Sequence, residues 1–137
     1  MTHLIKQICY ADDDADDHFI FSLALKEEFP AIRYEAFYHC GDLLKYLHDD
    51  NQPLPDMIFL DYNMPGNNGN ECLRIVKKTA GLMHIPVIVY TTSNLPLIRE
   101  QSYRDGAHKY LVKPSDFNRV REILRSTIIE LETSRGS

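Results

Sequence analysis

Five short apolar runs recur along the chain, and the stretches between them carry apolar residues at helical spacing. The runs are residues 5–11, 33–37, 56–60 (DMIFL), 86–90 (PVIVY) and 109–112 (KYLV). The third and fourth are almost wholly apolar, as expected of strands covered on both faces. Helices are predicted over 15–28, 41–48, 69–78 and 96–104, and over a fifth stretch capped by Ser115 and running to about residue 131. Their proposed core stripes are Ile20, Leu23 and Ala24; Leu43, Leu44 and Leu47; Cys72, Leu73 and Val76; and, on the last, Phe117, Val120, Leu124, Ile128 and Leu131. Pro30 stops the first helix and Gly106 the fourth. Strict alternation of strand and helix implies a doubly wound α/β fold, with five parallel strands, right-handed crossovers and helices on both faces.

The 137 residues suit one domain, with a core over about 5–131 and a polar tail over 132–137, frayed from Thr133 on. Hydrophobic residues make up 44% and charged residues 26%, enough for a core that needs no disulfide or structural metal. A net charge of −5 and a longest basic run of Lys77-Lys78 speak against nucleic acid as a partner. No stretch reaches the roughly 18–20 apolar residues of a membrane span, and the N-terminus lacks the signal-peptide pattern. A cytoplasmic location is therefore expected, away from membranes. Cys9, Cys40 and Cys72 are odd in number and widely spaced, which reads as reduced thiols rather than a disulfide framework or zinc site. The six scattered histidines read as surface or supporting groups.

The polar residues that end the strands carry the chemistry. The first run ends in Asp12-Asp13-Asp14, the third in Asp61, the fourth in Thr91-Thr92-Ser93 and the fifth in Lys113-Pro114. In an open parallel sheet, ligands bind outside the carboxyl ends of the strands. Clustered carboxylates repel one another, and a hard divalent cation such as Mg²⁺ relieves that repulsion while keeping several waters. A phosphoryl oxygen can replace one of them. Thr91 then offers a hydroxyl, Lys113 a point positive charge, and Asp61 a central nucleophile. Each motif alone has an ordinary reading: Asp12–Asp14 as a helix cap, the Asp61 segment as a turn, Thr91–Ser93 as another cap. Their joint placement at the ends of the right strands is what departs from that reading.

The residues Ala11-Asp12-Asp13-Asp14, Leu60-Asp61-Tyr62-Asn63-Met64-Pro65-Gly66 with Gly69, Tyr90-Thr91-Thr92-Ser93 and Tyr110-Leu111-Val112-Lys113-Pro114 resemble the receiver domains of bacterial two-component response regulators. The likeness covers nearly the whole chain, in the single-domain style of chemotaxis receivers. It implies the flavodoxin-like strand order 2-1-3-4-5, an order for which a chemotaxis receiver is itself a standard example. It implies Asp61 as phosphoacceptor, Asp13 and Asp61 as Mg²⁺ ligands, Asp12 as a ligand through water, and the backbone carbonyl of Asn63 as another. Thr91 and Lys113 would contact the phosphoryl group, Lys113-Pro114 would be a cis peptide, and Tyr110 would be an aromatic switch residue paired with Thr91. Ser93 and Asn63 would flank the hydrolytic water. The implied partners are a histidine kinase or phosphotransfer protein, a downstream target, and a second copy through the face of helix 4, strand 5 and helix 5. Such a chain catalyses only its own phosphorylation and dephosphorylation. Two alternatives are a phosphate-independent adaptor and a Mg²⁺-dependent aspartyl phosphatase; the phosphatase typically has a second acid two residues after the nucleophile, where this chain has Asn63.

Overall fold

The structure, a computed structural model, describes residues 4–64 and 67–135. His3, Pro65, Gly66 and the tail residues 136–137 lie outside the described residues, as do the side chains of Asn67 and Asn68. The strands are β1 (Gln7–Ala11), β2 (Arg33–Phe37), β3 (Met57–Leu60), β4 (Val87–Thr91) and β5 (Lys109–Val112). They alternate with α1 (Ala15–Glu28), α2 (Cys40–Leu47), α3 (Gly69–Lys78), α4 (Pro96–Arg104) and α5 (Phe117–Arg135). All sheet pairings are parallel and the order is β2-β1-β3-β4-β5, as expected. A short antiparallel pair, Asn63–Met64 with Asn67–Asn68, lies between β3 and α3.

The period of two along buried strands divides the core into two layers. Cys9, Ala11, Ile58, Leu60, Val87 and Val89 face α2 and α3, meeting Leu43, Leu47, Leu73 and Val76. Ile8, Tyr10, Met57, Phe59, Ile88 and Tyr90 face α1 and α5, meeting Phe21, Leu25, Leu124 and Ile128. The stripe of α1 differs from expectation. Ile20 and Leu23 are 38% and 42% exposed, while His18, Phe21, Ala24 and Leu25 are buried. The Asp14 cap fixes where the helix starts, accepting from the amides of Asp16 and Asp17. From that start, Phe21 points inward against Tyr10, Phe59 and Tyr34.

Two further expectations are corrected. The tail is not frayed up to its described end, because α5 runs to Arg135. Glu132 accepts the amide of Ile5, and Arg135 pairs with Asp56, so the tail's charges fasten the helix end to the start of the sheet. The helix also starts at Phe117, two residues past Ser115. The second correction concerns the thiols: Cys40 and Cys72 form a disulfide joining the first turns of α2 and α3. A pairing between two helices that pack on the same face of the sheet leaves no sequence-spacing signature. Cys9 stays free and buried; burial, then the charge of Glu35, pushes its thiol up to about 12, which makes it an inert core group. The bridge closes a ring across 32 residues. Reduction, or Cys40→Ser, is expected to lower stability by about 2–4 kcal/mol, read by urea denaturation with and without reductant. Equal midpoints would contradict the bridge.

Candidate functional site

The sheet register brings the polar residues together. Ala11 lies beside Leu60, Leu60 beside Val89, and Thr91 beside Val112, so the carboxyl ends of four strands are nearly level. Each site residue just past its strand is then held by one more ladder bond. The amide of Asp12 donates to Phe37 O (2.9 Å), that of Asp61 to Ala11 O (2.9 Å), and that of Lys113 to Thr91 O (2.8 Å). Carboxylate oxygens of Asp12, Asp13 and Asp61 lie within 4.8 Å of one another. Asp12 and Asp61 are buried and Asp13 is exposed.

Lys113 is the cation at the centre. Its Nζ lies 2.6 Å from Asp12 Oδ2, 2.7 Å from Asp17 Oδ2 and 3.0 Å from Asp61 Oδ2. One ammonium thus serves three carboxylates, and Asp13 stands close by. Burial works against the charge on Lys113, but its bonds to Asp12 and Asp17 and the charge of Asp61 outweigh it, so its pKa rises. Burial also pushes the Asp12 carboxyl above its ordinary value, and Lys113, Tyr10 and the Asp14 amide only partly offset this. The cluster therefore has a surplus of negative charge that a further divalent cation would largely offset. Hard carboxylate oxygens are the donor set for Mg²⁺ or a similar ion.

Asp12 is held from two sides. The hydroxyl of Tyr10 donates to its Oδ2, and burial followed by the Asp12 charge keeps that phenol protonated. His18 Nε2 meets both Asp12 O (2.8 Å) and Phe37 O (3.1 Å). Two carbonyls at one nitrogen require Nε2–H, and in the neutral ring Nδ1 then accepts from the Tyr34 hydroxyl at 2.6 Å. His18 is therefore a buried supporting group.

Thr91 is fully buried, and its hydroxyl has no hydrogen-bond partner among the described residues. A buried unsatisfied hydroxyl costs free energy, which a ligand oxygen there would recover. Asp61 Oδ1 accepts the amide of Asn63 at 3.0 Å, and Asn63 itself is exposed. Tyr110 is buried, with its hydroxyl donating to Ser93 O at 2.5 Å and Arg99 over its ring at 5.4 Å. The proposed switch residue thus lies inward, tied to the loop that follows Thr91. Lys113-Pro114 is not cis, since no cis peptide occurs among the described residues. The trans form is favoured by about 0.5–1 kcal/mol even before proline, and in trans Lys113 already reaches the carboxylates.

Gly69 opens α3 directly against the backbone of Asp61 and Tyr62. A Cβ there would come within 2.5 Å of Asp61 O and 2.6 Å of Tyr62 Cα, so only glycine allows this approach. Tyr62 donates to Asp105 Oδ2 at 2.8 Å, which ties the residue after Asp61 to the C-cap of α4. Arg74 of α3 and Gln101 of α4 reach the same carboxylate. Sequence reasoning missed this bridge, and it missed Asp17, Tyr10 and the role of His18. Two signals were available. Tyr10 and Asp12 share a strand face at i and i+2, and Asp17 lies one helical turn after Asp13.

Residues 8–125 match the response regulator receiver domain family, and the chain belongs to this family of two-component signalling, whose members are signalling modules rather than enzymes. It is 32% identical over 117 residues to the two-component response regulator ORR13 of Oryza sativa subsp. japonica, covering 85% of this chain and 93% of that one. The two-component response regulator ARR15 of Arabidopsis thaliana is 35% identical over 72 residues, and that match spans 35% of its length. Two solved structures share the fold across almost the whole chain. One is the Mn²⁺-bound form of response regulator Rcp1, with TM-score 0.81, 27% identity, and 90% of this chain and 94% of that one covered. The other is the phosphorylated cyanobacterial phytochrome response regulator RcpA, with TM-score 0.84, 25% identity and 97% of both chains covered. Receiver domains generally partner histidine kinases. No helix among the described residues is long and apolar enough to cross a membrane.

Proposed function

We propose that this chain is a cytoplasmic switch module that accepts a phosphoryl group on Asp61 from the phosphohistidine of a histidine kinase or phosphotransfer protein. Asp13, Asp61 and the Asn63 carbonyl would hold Mg²⁺, with Asp12 acting through water. When bound, the ion supplies positive charge to oppose the incoming phosphoryl oxygens. A carboxylate oxygen of Asp61 attacks phosphorus in line, the P–N bond to histidine breaks, and an acyl phosphate forms. Lys113 gives a charged donor to one phosphoryl oxygen and the Thr91 hydroxyl gives a donor to another. Ser93 and Asn63 flank the path of the hydrolytic water. The Mn²⁺-bound and phosphorylated relatives support this reading. The observation that carries it is the convergence of Asp12, Asp13 and Asp61 oxygens within 4.8 Å around a centre that also holds Lys113.

Phosphorylation adds nearly two negative charges, and the shift between two states requires bonds made in only one of them. Thr91 and Tyr110 are the residues placed to transmit it. Leu97, Tyr103 and Val112 stand exposed on α4 and β5, which suits that face to a target protein or a second copy. The test is intact-mass analysis after incubation with acetyl phosphate, with and without Mg²⁺. One added phosphate, dependent on Mg²⁺, is expected. A chain that gains no phosphate and binds no beryllium fluoride with Mg²⁺ is a phosphate-independent adaptor instead.

A further inference from the structure

We propose that Asp17 is a positioning residue that restrains Lys113 and so limits phosphorylation of Asp61. The inference rests on the reading of the site given above. A lysine ammonium has three N–H donors, and in Lys113 all three face carboxylates: Asp12 at 2.6 Å, Asp17 at 2.7 Å and Asp61 at 3.0 Å. A phosphoryl group on Asp61 gains a donor from Lys113 only when the ammonium releases one of these oxygens. Two of the three have duties of their own. Asp61 becomes the acyl phosphate, and Asp12 turns to the metal's water. Asp17 has neither duty. It comes from α1 rather than from a strand end, and its side chain is 31% exposed against 7% for Lys113. It therefore remains a competitor for the ammonium throughout the reaction. It also places a fourth negative charge beside a site that must admit a phosphate dianion.

The ordinary role for Asp17 is to favour the positive end of α1, since acids in a first helical turn are stabilising there. Asp16 stands in the same turn, is exposed, and is not a partner of Lys113. The pair of substitutions Asp17→Asn and Asp16→Asn thus separates the two roles.

The experiment measures the rate of phosphorylation by acetyl phosphate in Mg²⁺ as a function of donor concentration, together with the affinity for beryllium fluoride. Asp17→Asn is expected to phosphorylate about three- to tenfold faster at low donor concentration, the effect of one unit charge at several ångströms in a half-solvated setting. The gain should come as a lower half-saturating concentration, with beryllium fluoride bound more tightly by a similar factor. Asp16→Asn should match wild type in both. An Asp17→Asn chain that is slower than or equal to wild type overturns the proposal, as does an equal effect of both substitutions. A wild-type chain that takes up neither phosphate nor beryllium fluoride overturns the reading of the site itself, and this inference with it.

Discussion

Asp61→Asn is expected to lose phosphate uptake completely and yet to be more stable than wild type in metal-free buffer. The carboxamide keeps the shape of the side chain. Its single oxygen can still accept from Lys113 Nζ or from the Asn63 amide, the donors that meet Asp61 Oδ2 and Oδ1. What it removes is one negative charge from a cluster in which Asp12, Asp13, Asp17 and Asp61 gather around a single ammonium. Relief of that repulsion is worth about 1 kcal/mol at the effective dielectric of such a site. Mg²⁺ should reverse the order, since it binds the wild-type carboxylates more strongly and stabilises by mass action. Urea denaturation of both chains, with and without Mg²⁺, checks the stabilities, and intact mass after acetyl phosphate checks the uptake. Any phosphate retained by Asp61→Asn moves the acceptor elsewhere. A less stable variant in metal-free buffer would mean that attraction to Lys113 exceeds the mutual repulsion of the acids.

The second large effect is that of Lys113→Met. Asp12 is fully buried, and without the ammonium it keeps only the Tyr10 hydroxyl and the Asp14 amide. Removing one partner of a buried charged group costs about 3–5 kcal/mol. Part of this should return on adding Mg²⁺, roughly 2.7 kcal/mol at a hundredfold excess over the dissociation constant. The pH dependence follows from Asp12, whose carboxyl burial already holds above the usual range. The folded chain then binds more protons than the unfolded one between the ordinary and the raised value. The cost is absent below that window and grows as pH rises through it, so metal-free Lys113→Met should recover stability in mild acid. Denaturation midpoints across pH, with and without Mg²⁺, give the result. A variant as stable as wild type in metal-free buffer at neutral pH would remove Lys113 from its role as counter-ion.

The sheet was legible because β3 and β4 are nearly unbroken apolar runs, and because each strand ends where a polar residue begins. That same boundary exposed Asp12, Asp13, Asp61, Thr91 and Lys113, which the ladder bonds of neighbouring strands then hold in place. What was not legible depends on angles between elements. The rotation of α1 about its axis decides that Phe21 and His18 turn inward, that Ile20 and Leu23 turn out, and that Asp17 reaches Lys113. Spacing alone gives a stripe but not its phase relative to the sheet. The bond between Cys40 and Cys72 depends on how α2 and α3 lie side by side, and the grip of Arg135 on Asp56 depends on how far α5 extends.

The Cys40–Cys72 bridge makes residues 40–72 a covalent ring that contains Asp61, together with the exposed stretch 48–54. Exposed loops of this kind are where proteases cut. A single cut there separates Asp12, Asp13 and Asp17 from Asp61, Thr91 and Lys113 along the backbone. The bridge keeps the two fragments on one molecule, so the nicked chain keeps the mass of the whole plus one water until a reductant parts it.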